Sequence, residues 1–336
     1  MPLPLIRPAR ADDIDAFAEF AALSGGGMTN LPNDRHALAV RLERSAAAFA
    51  RPDGPPDDEL YIFALEIDGV VSGTVMLFSR IGSEYGFVNF KRMTLVHAST
   101  QIKKRVDCEL LVLNHDFTHA SEVGGLFLHP ERRGGGVGRF LARSRYLFIA
   151  QSPERFSDRI VAELRGWRAP DGRQPFWEAV GHRFFDMEFE EADLMNSRLG
   201  NRFIADLMPQ HPVYVAMLPD DARYCLGRPH DTGAPAYRML IDEGFRDDGY
   251  VDIFDGGPLV TAHQQDIKAI HESRTMKVAD GAAGEDAADR LIARGTGAAF
   301  RCARGGAEFT ANGEVRLSEP LRRALKVDAG EEVRAL

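Results

Sequence analysis

The chain has 336 residues, with 41 Lys and Arg against 50 Asp and Glu for a formal net charge of −9, and 44% of it is hydrophobic. That is long enough for two ordinary domains and an appendage, and apolar enough to bury cores, which excludes a disordered protein. The acidic balance excludes a general attraction to nucleic acid or an anionic membrane, so any anionic ligand must be held by a local cluster.

In chain order, Leu5-Ile6 predicts a short strand and Ala11-Asp12-Asp13 supplies caps for a helix with Ile14, Phe17, Ala18 and Ala21 on one stripe. The start of the sequence has no apolar run behind a basic residue, and no stretch reaches the roughly 20 apolar residues of a membrane span. A soluble, unexported, cytoplasmic protein is expected. After the turn Ser24-Gly25-Gly26-Gly27, Asp34 signals a second helix carrying Leu38, Leu42, Ser45 and Phe49, and residues 51–58 form a surface loop. Residues 61–67 and 70–78 flank Asp68-Gly69, the signal for a hairpin with a type I′ turn. Further strands over 87–97, 109–113 and 122–128 complete a predicted antiparallel meander. Beyond Pro130 the period becomes helical, with Val137, Phe140, Leu141, Ser144, Leu147 and Phe148 on one face.

Residues 159–164 read as a strand and 175–181 as a short helix ending at Gly181. A related helix over 236–245 leads into a predicted strand at 250–254, which hints at a duplicated unit whose second copy lacks the glycine cluster. The Ala-, Gly- and Asp-rich stretch 275–289 reads as a linker. Residues 298–336 alternate short β patterns with an apolar helix at 321–325, suggesting a small barrel-like cap. Cys108, Cys225 and Cys302 lack C-x-x-C spacing, which fits a reducing compartment without a zinc or redox motif. His115, Asp116 and His119 lack further ligand spacing, so no metal site is expected.

The stretch "RRGGGVGRFL" at 132–141 lies between a predicted strand and a predicted helix. A phosphate cradle needs converging N–H groups at a helix start, with no Cβ in the way. A nucleotide-triphosphate loop also needs Lys followed by Ser or Thr, where this chain has Arg139-Phe140, and the dinucleotide fingerprint fails at Leu141. What remains is R-x-x-G-x-G, met by Arg133, Gly136 and Gly138, or else a glycine-rich turn with solvated arginines. The former resembles the pyrophosphate loop of the GNAT acyltransferases. That likeness implies an α+β fold, a mostly antiparallel mixed sheet flanked by helices. It gives Gly134, Gly135, Gly136, Val137 and Gly138 to the CoA diphosphate, with Arg132, Arg133 and Arg139 offsetting its charge.

Longer blocks narrow the family: "GGGMTNLP" at 25–32, "TLVHAS" at 94–99, "LFLHPERR" at 126–133, "ERFSDRIVAELRG" at 154–166, "PFWEAVGHRFF" at 175–185, "FIADLMPQHPVYV" at 203–215 and "EGFRDDGYVDIFDGGP" at 243–258. Together they resemble the arginine N-succinyltransferases over nearly the whole chain. The resemblance implies succinyl-CoA as cosubstrate, the α-amino group of L-arginine as acceptor, N2-succinylarginine and CoA as products, and no prosthetic group. It gives His230 the proton-donor role and Leu126 a contact with succinyl-CoA. Backbone N–H groups near Leu126 to Leu128 are candidate oxyanion donors, and Asp116, Glu122 and Glu163 are candidate partners of the arginine side chain.

This chain departs from the family at Val123-Gly124-Gly125, where Cys and Thr or Ser are usual, and at Lys91, which replaces an arginine and loses its fork of donors. Other readings are ornithine or another amino acid as acceptor, another acyl donor, or a non-catalytic subunit beside an active homologue; homo- and hetero-oligomers stay open. The expected division is 1–200 for a GNAT-like CoA-binding domain, 201–274 for a degenerate second copy completing the site, and 275–336 for the linker and cap.

Overall fold

The computed structural model describes residues 3–25, 28–199 and 202–336; Gly26 and Gly27 of the triple-glycine turn lie outside the described residues. The first strands are β1 (Leu5–Pro8), β2 (Leu60–Ile67), β3 (Val70–Phe78), β4 (Asn89–Ser99), β5 (Lys104–Asn114), β6 (Ser121–Leu128), β7 (Arg159–Glu163) and β8 (Val213–Tyr214). They are followed by β9 (Arg246–Asp252), β10 (Pro258–His263), β11 (Arg274–Ala282), β12 (Asp289–Arg294), β13 (Arg301–Phe309), β14 (Val315–Leu317) and β15 (Glu332–Ala335). The helices that pack on the first unit's sheet are α1 (Ile14–Leu23), α2 (Arg35–Ala50) and α3 (Val137–Gln151). Two units emerge, one from Met1–Arg80, Ser121–Asp158 and His263–Leu336, the other from Ile81–Ala120 and Arg159–Ala262. Among the described residues no helix is long and apolar enough to cross a membrane.

In the first unit Asp68 and Gly69 both take positive φ (57° and 79°), as the type I′ turn between β2 and β3 requires. The predicted meander does not continue from there. β3 pairs with β6, while β4 and β5 form their own hairpin in the second unit. Ile81 N donates to Ala120 O (2.9 Å) and His119 N to Ile81 O (2.8 Å), so the excursion closes at its neck and the chain returns to β6. Alternation marks a strand but carries no record of its partner.

Asp34 caps α2 by accepting from Ala37 N at 2.9 Å. Asp13 caps the 3-10 turn Ala11–Asp13 that leads into α1 rather than α1 itself: its carboxylate accepts from Arg10 N (2.7 Å) and also from the buried Arg7 Nη1 (2.8 Å). Phe17, Phe20, Leu38 and Leu42 pack on Leu60, Ile62, Met76 and Phe127. The apolar face of α3 is buried as its spacing predicts, and Phe148 meets Phe49, Phe63 and Phe300 edge-on. Such pairs add about 0.5–1.5 kcal/mol each beyond area burial.

β11 to β15 run in the order β12-β15-β11-β14-β13, and the further pairing of β12 with β13 closes them into a ring. The helix Glu319–Leu325 sets Leu321 and Leu325 into its core beside Val278, Ile292, Val315, Leu317 and Val333. Much of the expected linker is therefore strand: Thr275, Met276 and Lys277 pair with Arg334, Val333 and Glu332. The small residues that follow obscured the inward-facing Met276 and Val278.

In the second unit the hydrogen-bonded order is β7-β10-β9-β4-β5-β8. Its core holds Phe90, Leu111, Phe176, Trp177, Val251 and Ile253. Trp177 Nε1 donates to Met187 O at 3.0 Å, and a Cβ at Gly181 would lie 2.2 Å from the indole ring, so the helix Pro175–Ala179 has to be followed by glycine there. β9 lies slightly earlier than the predicted 250–254.

Candidate active site

The site in the first unit begins at the end of β6. Gly134, Gly135 and Gly136 have φ of 115°, 56° and 76°, and α3 starts at Val137. Three successive left-handed residues turn the peptide N–H groups into a concavity that side chains at these positions would strain. The N–H groups of Gly135, Gly136 and Gly138 have no acceptor among the described residues, and they stand at the positive end of a long helix. Arg132, Arg133 and Arg139 are exposed around them, and Arg133 Nε approaches Leu128 O at 3.4 Å. Arg304 Nη1 donates to Gly135 O at 3.1 Å.

β6 is bulged just before this loop. Its register to β3 runs Thr74↔Phe127 and then Met76↔Gly124, so Gly125 and Leu126 together face Val75. Gly125 has φ 58°, and a Cβ there would lie 2.5 Å from Met76 Cγ. At Gly125 the departure matches its surroundings in this chain, where a positive φ and the Met76 side chain both favour glycine. A bulge takes backbone N–H groups out of the ladder, as an oxyanion donor near Leu126 requires. Leu126 and Leu128 are half-buried, and Leu128 Cδ2 lies 3.9 Å from where a Gly138 Cβ would stand.

Glu122 and Gly124 stand opposite Phe78 and Met76 of β3, and the bulge that follows shifts the alternation, so Leu128 turns instead toward Leu141 of α3. Burial of the Glu122 carboxyl among protein atoms raises its pKa to about 7, against the opposing charge of Arg145. Arg145, buried in α3, donates from Nη1 to Gly124 O at 3.3 Å. A Cβ at Gly124 would stand 3.0 Å from Asn30 Nδ2 and 3.2 Å from Glu122 Oε1. Asn30 and Arg145 therefore line the carboxylate that sequence reasoning singled out alone. Asn30 belongs to the block "GGGMTNLP", and a charged residue inside the apolar face of α3 was the available signal for Arg145.

His230 lies in the second unit, where its N–H donates to Arg165 O at 2.8 Å. Its Nδ1 accepts from Thr232 N (3.3 Å) and lies 2.8 Å from Thr232 Oγ1, which leaves the proton of the neutral ring on Nε2. Burial and the positive charge of Arg165, with Arg168 adding to it and Asp231 opposing, hold its pKa below the usual histidine value. Its segment is fixed by the Gly166↔Pro229 bridge and by Trp167 N donating to Arg228 O (2.9 Å). Asp255 accepts from Gly166 N (2.7 Å) and Gly257 N (2.8 Å). Its own pKa is raised to about 7 by burial and by the charge of Asp252.

Asp116 and Glu163 also lie in the second unit, so the three acidic candidates are shared between the units. Asp116 is exposed and accepts from Tyr250 Oη (2.7 Å), which also takes a hydrogen bond from Lys91 Nζ (2.8 Å). Glu163 ends β7, half-buried. His97 stacks on Tyr214 and the His182 ring bonds Met187 O. Burial pushes the Cys225 thiol up to about 12, which removes it as a nucleophile.

Residues 4–269 match the family model described as "Arginine N-succinyltransferase beta subunit", and residues 274–336 match the C-terminal domain of that subunit. The chain is 37% identical over 341 residues to the arginine N-succinyltransferase subunit beta of Pseudomonas aeruginosa, covering 99% of this chain and 97% of that one. It is 38% identical over 279 residues to an arginine N-succinyltransferase of Escherichia coli, covering 82% and 81%. A solved structure of arginine/ornithine succinyltransferase subunit AI from Pseudomonas aeruginosa matches with a TM-score of 0.89 at 31% identity, over 100% of this chain and 99% of that one. With its glycine loop, its bulged strand and a likeness that runs end to end, the chain belongs to the arginine N-succinyltransferase beta subunit family and is an acyltransferase.

Proposed function

We propose that this chain transfers the succinyl group of succinyl-CoA to the α-amino group of L-arginine, giving N2-succinylarginine and CoA. The observation that carries the donor half is the run of three left-handed glycines at the start of α3, where the N–H groups of Gly135 and Gly136 have no acceptor among the described residues. They suit the CoA diphosphate, while the bulge at Gly125-Leu126 offers backbone N–H groups to the thioester oxygen. The neutral amine attacks the thioester carbon, the C=O electrons move to the oxygen, and the resulting ammonium loses a proton. His230, neutral near pH 7 because its pKa is lowered, takes that proton. As an imidazolium beside Arg165 it then gives a proton to the departing CoA thiolate as the C–S bond breaks.

On the acceptor side, Glu122 ionises to meet the guanidinium, with Asp116 and Glu163 as further candidates. The second unit is read as a degenerate copy of a GNAT-like core without the glycine cluster, supported by the helix Ala234–Asp242 leading into β9 as α3 leads toward β7. The names of the relatives support an assembly of several subunits, and three free cysteines support a cytoplasmic site of action.

Ornithine is the second reading for the acceptor, favoured by Lys91 standing where the family has an arginine and by its engagement with Tyr250. The test is to incubate the protein with succinyl-CoA and a panel including arginine and ornithine, reading free thiol and product mass. Arginine is expected to give the largest kcat/KM. Preference for ornithine replaces the acceptor, and no thiol release with any amino acid sinks the reading. His230→Ala is expected to lower kcat by about 100-fold or more with CoA binding retained.

A further inference from the structure

We propose that Arg304, on the C-terminal ring, is a positioning residue that holds the glycine loop in its diphosphate-accepting form. The proposal rests on the reading that this loop binds CoA. Little else restrains the loop. A Cβ at Gly134 or Gly135 would meet nothing within 4 Å, so these residues are not held by packing. The bonds Val137 N to Gly134 O (3.1 Å) and Phe140 N to Gly136 O (3.0 Å) tie the loop to its own helix. Arg304 Nη1 adds a tie from a distant segment, donating to Gly135 O at 3.1 Å and standing 2.8 Å from where a Gly136 Cβ would lie.

Peptide planarity turns this contact into a statement about ligand binding. In a trans peptide the carbonyl and the following N–H point in opposite directions. Drawing Gly135 O toward Arg304 therefore aims Gly136 N–H the other way, and this is one of the N–H groups with no acceptor among the described residues. The cation also polarises the same peptide, strengthening its N–H as a donor to an anion. Arg304 is itself held: its Nε donates to Asp289 Oδ2 at 2.5 Å, and the pairings Leu291↔Arg304 and Asp289↔Gly306 fix both residues on adjacent strands. The C-terminal ring thereby sets how tightly the CoA diphosphate is bound.

The test compares wild type with Arg304→Gln and Asp289→Asn, measuring the affinity of CoA, of 3′-dephospho-CoA and of pantetheine, which lacks the diphosphate. In Arg304→Gln both diphosphate-bearing ligands are expected to weaken about tenfold, pantetheine to be unaffected, and kcat at saturating succinyl-CoA to stay within about twofold. Asp289→Asn shifts affinity in the same direction by less, and Arg304→Lys recovers part of it. Unchanged CoA affinity in Arg304→Gln overturns the proposal. So does an equal loss for CoA and pantetheine, which marks general damage to the fold. A wild-type protein that binds pantetheine but gains nothing from the diphosphate overturns instead the assignment of the loop to CoA, and the role of Arg304 falls with it.

Discussion

Asp255 Oδ2 accepts the backbone N–H of Gly166 at 2.7 Å, and a Cβ at Gly166 would stand 2.6 Å from the Asp255 carbonyl oxygen. Gly166 also bridges to Pro229, next to His230. The contact joins two distant stretches of this sequence, "ELRG" and "DIFDGGP", to the peptide that carries the histidine. Gly166→Ala is expected to destabilise the protein by about 1–3 kcal/mol, because backbone rather than a flexible side chain must give way. It also lowers turnover by displacing the Arg165 carbonyl that fixes His230 N. Urea denaturation and steady-state kinetics on the same preparation check both, and a wild-type midpoint refutes the clash.

The Asp255 carboxyl gives stability a pH dependence of known sign. Its folded pKa is raised to about 7, above the value of an unfolded aspartate near 4. Between those values the folded chain holds the proton that the unfolded chain has lost. The contribution is therefore fully present below about pH 4 and is lost as pH rises through about 7. Glu122, raised to about 7 by burial, acts in the same direction. Denaturation at pH 5.5 and 7.5 is expected to give a smaller difference in Glu122→Gln than in wild type; an identical difference removes Glu122 from this account.

Acceptor binding follows from the same carboxyl. A guanidinium arriving at Glu122 favours its ionised form, so KM for arginine is expected to fall as pH rises toward and past about 7, with a proton released on binding below that pH. Glu122→Gln flattens this dependence and raises KM for arginine about tenfold or more, while KM for succinyl-CoA changes little. Equal changes in both KM values would indicate that Glu122 shapes the strand rather than the acceptor site.

Gly125→Ala attacks the bulge directly. Its φ of 58° and the 2.5 Å approach to Met76 leave no room for a methyl group. Realigning β6 with β3 would return the N–H groups near Leu126 to the ladder, and kcat is expected to fall by about 100-fold, the scale of losing one oxyanion donor. Met76→Ala in the same background relieves the contact but not the φ, so it is expected to restore thermal stability more than turnover. Turnover restored in full would place the cost in packing alone.

The features most legible in the sequence are those written locally. Asp68-Gly69 states its turn, Asp34 its helix cap, and Gly134 to Gly136 their left-handed run, because each depends on the conformation of a few neighbouring residues. What escaped the sequence is pairing at a distance. The partnership of β3 with β6 depends on an excursion closing at Ile81 and Ala120, and the linker that proved to be β11 acquires its partner from the last residues of the chain. Asp13 is legible as a capping residue, but its pairing with Arg7 is not. For the candidate site, the glycines and His230 were marked by motif and block, whereas Asn30, Arg145 and Arg304 come beside its residues only through the fold.

β1 lies between β2 and β13, with Leu5 opposite Glu66 on one edge and Ala303 on the other. During synthesis the first strand therefore waits, one edge unsatisfied, until Cys302 and Ala303 have been added. The second unit, complete at Ala262, leaves the ribosome entire while the first still lacks His263 onward. An open strand edge is a template for the wrong neighbour, and closing so long a loop is slow. A chain stopped before β13 leaves that edge open for good, so premature termination yields a species disposed to aggregate rather than a shortened enzyme.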